Sequence, residues 1–137
     1  MILVDAGPLL ALFDPNDSAH TRVEPIFTRV RQDTLYIPSP VIAEVAHFLS
    51  QRVGTRIEAS LLRAIASGQR PIVDPLPVDY GRAADLVEKY ADFPLGTVDA
   101  LIAAMAERME ITTLFTLDRR HFGAIRPAHC EQFTLVP

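Results

Sequence analysis

From Val98 to Ala106 the chain reads VDALIAAMA, and Asp99 is the one polar side chain in the stretch. A helix that is apolar on every side is enclosed by protein, so the fold needs layers on more than one side of this segment. With Thr97 as its N-cap the helix runs to about Glu110, which places Asp99 in the first turn. A carboxylate there complements the helix dipole by about 0.3 to 1 kcal/mol. That accounts for a single acidic residue, but the pattern recurs elsewhere in the chain.

The 137 residues suit one domain, taken as residues 1–137, with 49% hydrophobic and 22% charged residues in keeping with a packed core. No apolar run approaches the roughly 20 residues of a spanning helix, and no basic segment precedes an apolar one at Met1. A cytoplasmic protein with no membrane partner is expected. Cys130, the single cysteine, offers no internal disulfide. The formal charge of −4 argues against nucleic-acid binding by bulk positive potential. A local acidic cluster filled by metal escapes that objection.

Residues 1–6, MILVDA, form a short β-rich run that ends at Asp5, and GPLLALFD continues it as a helix. Residues 17–32 read as a helix capped by Asp17 or Ser18 and perturbed at Pro25; TLYIP is the second strand. The next helix has Ser39 as N-cap, Pro40 at its first position and Gly54 past its end. A capping box from Thr55 to Glu58 opens another helix, which stops at Gly68. PIVDPLP is a third strand, residues 79–92 form an amphipathic helix, ITTLFTLD is a fourth strand ending at Asp118, and EQFTLVP is a fifth. Strands alternating with helices predict an α/β fold with a mainly parallel central sheet of about four to five strands, flanked by helices.

In such a sheet Asp5 and Asp118 emerge at the same rim as the helix N-termini, where open α/β sheets keep their sites. Glu44 sits at the edge of an apolar stripe of Val41, Val45, Phe48 and Leu49, with no lysine or arginine at i+4. Asp5, Glu44, Asp99 and Asp118 thus form a candidate anionic site. Four close carboxylates repel, and burial adds to that cost, so a divalent cation resolves the conflict. Oxygen ligands without clustered Cys or His favour Mg2+ or Mn2+ over zinc. Thr116 stands two residues before Asp118, its hydroxyl suited to orient a water or a phosphate oxygen. Arg119 and Arg120 offer positive charge for phosphate. Of the four histidines, His47 reads as a polar-face residue of its helix, and His20, His121 and His129 as scattered surface groups.

ILVDAGPLLALFD, SPVIAEVAHFL and DFPLGTVDALIAAMAERMEITTLFTLDRRHF resemble the acidic motifs of PIN-domain ribonucleases, especially VapC-type toxins. The likeness covers nearly the whole chain. It implies a PIN-like fold, metal-dependent cleavage of RNA phosphodiesters, and Asp5, Glu44, Asp99 and Asp118 as the acidic positions that bind Mg2+ or Mn2+. Thr116 matches a hydroxyl position associated with them, and Asp92 fits a recurring acidic position ahead of the third motif. Many members carry Thr or Ser directly after the first aspartate, where this chain has Ala6 and Gly7. The resemblance further implies a homodimer and a small VapB-type antitoxin, whose C-terminal segment covers the acidic groove.

Two other enzyme classes are weaker fits. Aspartyl-phosphate phosphatases place a second aspartate two residues after the first, and that position here is Gly7. Carboxylate-bridged di-iron bundles need two copies of a Glu-x-x-His motif, and Glu44 with His47 supplies one. A PIN-like module that binds RNA or regulates without cutting is the non-enzymatic alternative.

Overall fold

A computed structural model describes residues 1–31 and 34–137. The elements in chain order are β1 (Ile2–Val4), α1 (Ala6–Phe13), α2 (His20–Arg29), β2 (Leu35–Pro38), α3 (Ser39–Arg52), α4 (Thr55–Ala66), β3 (Ile72–Val73), α5 (Pro77–Lys89), α6 (Thr97–Arg108), β4 (Thr113–Phe115), α7 (Arg119–Ala124) and β5 (Thr134–Val136). This is the alternation expected from the sequence. The expected end of the second helix at Gln32 lies outside the described residues.

The strands form one sheet in the order β3-β2-β1-β4-β5, and every adjacent pair is parallel. Ile2, Leu3 and Val4 lie opposite Thr113, Leu114 and Phe115, which sets β1 and β4 side by side at the centre. Leu3, Val4, Leu114 and Phe115 are fully buried. Successive residues are buried because helices cover both faces of a parallel sheet, so these strands read as continuous apolar runs. From β1 the chain moves outward to β2 and β3, and from β4 it moves the other way to β5. The strand order therefore reverses between β1 and β4, and a crevice opens beyond their carboxyl ends.

Four expected caps differ from those observed. Pro38, still paired with Val73 in the sheet, is the N-cap of α3, so the helix leaves the strand directly and Ser39 is already helical. Gly54, at φ 126, ends α3 and caps α4; the Glu58 amide bonds the Gly54 carbonyl at 3.2 Å, so Thr55 lies one residue too late to cap. A positive φ of this kind favours glycine, which has no Cβ to clash. In α6 the Ala100 amide bonds the Gly96 carbonyl at 2.9 Å, and the helix closes its first turn one residue before Thr97 could cap it. Ahead of α2 the Asp17 side chain accepts from the Ala19 amide at 2.8 Å, so Asp17 organises the preceding turn and Ala19 takes the cap position.

Every residue of α6 from Ala100 to Ala106 is buried, as its sequence demanded. Two ion pairs clamp α5 along it. Arg108 Nε donates to Asp79, 2.9 Å from each carboxylate oxygen, and Asp79 Oδ2 also accepts from the Leu76 amide at 2.7 Å. Arg82 meets Glu107 through two bonds of 2.6 and 3.0 Å, and Glu107 also accepts from the Ala128 amide. Asp79 is 1% exposed, and its ion pair is with Arg108. Arg108→Ala, which strands that carboxylate, is expected to lower unfolding free energy by about 3 kcal/mol. Urea titration measures it, and a loss below about 1 kcal/mol would show that Asp79 does not rely on Arg108.

Candidate active site

Asp5 follows β1 directly and caps α1, its Oδ1 accepting from the Ala6 amide at 2.6 Å. Its amide donates to the Phe115 carbonyl at 2.9 Å, so the end of β4 holds the backbone of Asp5 in place. Across the same pair of strands the Thr116 hydroxyl donates to Asp5 Oδ2 at 2.7 Å and accepts from the Asp118 amide at 2.9 Å. One buried hydroxyl therefore joins two carboxylate-bearing segments 111 residues apart. Its proton points to Asp5, and the side chain is 1% exposed. Its place in the structure is to position carboxylates. This bond also supplies, from across the sheet, the hydroxyl support for Asp5 that Ala6 and Gly7 lack.

An open cleft of about 700 Å³ at this edge is lined by Asp5, Ala6, Gly7, Glu44, Asp99, Leu117, Asp118, Arg119 and Arg120. All four carboxylates singled out in the sequence reach it. Gly7 brings the start of α1 close to the chain after β4; a Cβ there would lie 3.4 Å from Leu117 Cβ. Asp92 is exposed in the turn after α5 and does not line the cleft.

The electrostatics follow from burial and crowding. Burial raises Asp5, which the bonds from Thr116 and Ala6 only partly offset while Asp118 pushes it further up. Glu44 is raised by burial and by the charge of Asp5. Asp99 is raised from 3.8 to about 6, first by burial and then by Asp5, Asp118 and Glu44, against a small opposing effect of His121. Asp118 differs. Burial pushes it up, but the side-chain and backbone bonds of His121 reverse the sign and leave it below its ordinary value. Among the described residues no arginine or lysine forms an ion pair with any of the four.

The two arginines at the rim have other contacts. Arg119 donates to the Pro137 carbonyl, and the Arg120 guanidinium lies 4.9 Å from the centroid of the Phe93 ring. His121 is not the detached surface group expected. Its Nδ1 lies 2.6 Å from Asp118 Oδ2, its amide donates to Asp118 Oδ1 at 2.8 Å, and its ring packs on Phe93. The signal was present in the sequence: a helix cap and the residue three positions later face each other. His47 is exposed on α3, His20 bonds the Ala11 carbonyl and His129 the Ile111 carbonyl, all outside the cleft lining.

Residues 2–126 match the PIN domain. The chain belongs to the PIN-domain family. Its relative Ribonuclease VapC26 of Mycobacterium tuberculosis is 34% identical over 136 residues, spanning 99% of this chain and 100% of the relative. Among solved structures, the sarcin-ricin loop cleaving toxin VapC20 of Mycobacterium tuberculosis superposes with a TM-score of 0.84 at 18% identity, covering 96% of this chain and 99% of that one. VapBC2 of Rickettsia felis, bound to a DNA fragment from its promoter, aligns with a TM-score of 0.70 at 19% identity, covering 99% and 98%. The five-stranded parallel sheet is thus that of the VapC structures, and with the 34% identity to VapC26 the chain is of the VapC type within the PIN-domain family.

Two predictions follow from the geometry of this PIN domain. Thr116→Val keeps the shape but removes both hydroxyl bonds, and Thr116→Ser keeps them. The valine variant is expected to lose about 1 to 3 kcal/mol of stability, since buried Asp5 and the Asp118 amide both lose a partner. Equal melting of the valine and serine variants would refute the link. The second concerns pH. Because folded Asp99 titrates near 6 and the unfolded residue near 3.8, the native state holds its proton more tightly, and stability falls as pH rises from about 4 to 6. Asp5 and Glu44 shift in the same direction and add to the slope. In EDTA at pH 7.5, Asp99→Asn is expected to melt a few degrees above wild type; a lower melting point would contradict the repulsion.

Proposed function

We propose that this VapC-type PIN domain is an endoribonuclease that hydrolyses RNA phosphodiester bonds in the acidic cleft, with Asp5, Glu44, Asp99 and Asp118 holding Mg2+ or Mn2+. The observation that carries the reading is the convergence of four carboxylates in a half-buried cleft with no arginine or lysine ion-pair partner among the described residues. Burial, and then the charges of its neighbours, raise Asp99 to about 6. An all-oxygen carboxylate set of this kind suits a hard divalent cation. When bound, such a cation supplies the positive charge that polarises a phosphoryl oxygen and activates water at neutral pH.

The protein's own contribution is placement. Thr116 and the Ala6 amide fix Asp5, and His121 fixes Asp118, so these two carboxylates are oriented before any ligand arrives. Asp99 projects from the first turn of a helix locked in the core, and Glu44 reaches in from α3. Arg119 and Arg120, at the rim, are placed to attract the substrate backbone and orient the scissile phosphate. In this reading the chain acts in the cytoplasm as the toxin of a toxin–antitoxin pair. It is a homodimer, and a VapB-type antitoxin covers the cleft. The likeness to the Rickettsia felis VapBC2 complex and to a toxin–antitoxin complex from Klebsiella pneumoniae supports that partner.

The test is a cleavage assay on structured RNA with Mg2+, Mn2+ or EDTA, comparing wild type with Asp5→Asn and Asp99→Asn. Cutting is expected from wild type with metal, and a loss of at least about a hundredfold in each variant. Equal cutting by all three proteins would remove these residues from the mechanism. In parallel, Mg2+ is expected to raise the melting temperature of wild type, by the equivalent of about 2.7 kcal/mol at a hundredfold excess over Kd. Asp99→Asn should blunt that rise.

A further inference from the structure

One ring nitrogen of His121 and one carboxylate oxygen from each of Asp99 and Asp118 lie within 4.8 Å of one another. Octahedral coordination at about 2.1 Å sets neighbouring donor atoms about 3 Å apart and opposite ones about 4.2 Å apart. Side-chain adjustments of at most about 2 Å between pairs therefore bring these three atoms onto one cation. Asp5 and Glu44 line the same cleft but stand outside this tight group. Where the sequence suggested an all-oxygen set, the tightest group of donor atoms includes an imidazole.

The imidazole is held in that position. Its backbone amide and Nδ1 both engage Asp118, which caps the helix that carries it. Its ring centroid lies 4.9 Å from that of Phe93 at an interplanar angle of 51°, and the same Phe93 ring carries the Arg120 guanidinium. About a quarter of the side chain is exposed, and the ring lies beside Asp118 at the border of the cleft rather than in its lining. A surface histidine with free rotamers would lose entropy on coordinating, whereas this ring is ordered beforehand.

We propose that His121 is a ligand of the cation held by Asp99 and Asp118, and that it makes the site a mixed nitrogen–oxygen centre favouring Mn2+ over Mg2+. Mg2+ takes oxygen donors and gives up water reluctantly, whereas transition ions accept imidazole nitrogen. The inference rests on the cleft holding a divalent cation, and it names a ligand beyond the four carboxylates. The competing role is that of a hydrogen-bond partner that orients Asp118 without touching the ion. The two roles differ in whether nitrogen is bonded to the metal.

Pulsed electron paramagnetic resonance of Mn2+ bound to the full chain distinguishes them. Wild type is expected to show nitrogen modulation from a directly bonded imidazole, and 15N-histidine labelling should shift its frequencies. His121→Gln should retain Mn2+ but lose the modulation, and its ratio of Mn2+ to Mg2+ affinity should fall at least about tenfold by calorimetry. Mn2+ bound to wild type without nitrogen modulation would overturn the assignment while leaving the cation reading intact. Modulation persisting in His121→Gln would also overturn it. Failure of wild type to bind Mn2+ at all would defeat both.

Discussion

The structure is organised around a repulsion. Four carboxylates drawn from β1, α3, α6 and the chain after β4 face one cleft, and in water alone they would separate or take up protons. They stay together because the elements bearing them are fixed by forces unrelated to their charge. The parallel pairing of β1 with β4 fixes Asp5 and Asp118, and the burial of α6 on all sides fixes Asp99. Apolar packing thus holds the acidic groups in place, and the cleft stores unfavourable electrostatic energy that a cation can relieve.

The four groups do not share that strain equally. Asp5 and Asp118 have designated donors: Ala6 and Thr116 for the first, His121 for the second. Asp118 consequently stays below its ordinary pKa, while Asp99 rises to about 6 and Glu44 is also raised. The division matters for function. A carboxylate that remains charged across the physiological range gives a cation a fixed anchor, and a neighbour that titrates near neutrality responds to whether the cation is there. Asp5, nearly enclosed and with both oxygens engaged, is also raised by burial, while its orientation stays set by the sheet.

Much of this was legible in the chain. The all-apolar run around Asp99, the continuous apolar strands and the strand–helix alternation specify a parallel sheet with helices on both faces, and each has a one-dimensional signature. The four acidic residues were found because each interrupts or ends such a signature. Cap positions were less legible: Ser39, Thr55 and Thr97 are good capping types, yet each helix begins one residue earlier, a choice made by the adjoining strand or glycine. Thr116 illustrates the deeper limit. Its i, i+2 relation to Asp118 is visible in sequence, but its bond to Asp5 spans 111 residues and exists only once β1 and β4 pair. His121 is the opposite case: its link to Asp118 is local, at i, i+3 from the helix cap, but a lone histidine carries no other mark in the sequence.

The chain's overall charge of −4 and its proposed RNA substrate are reconciled by the same geometry. A protein that neutralises many phosphates needs a broad basic surface and loses affinity steeply with salt. Here the positive groups lining the cleft are Arg119 and Arg120, adjacent to the carboxylates and tethered by Pro137 and Phe93. Two side chains at one edge cannot track a long backbone, but they can hold one phosphate in line with a cation. On the proposed function, a cleft built this way would grip the scissile linkage and little else by charge, and discrimination among RNAs would fall to the shape of the surrounding surface, where single-stranded and loop structures differ most.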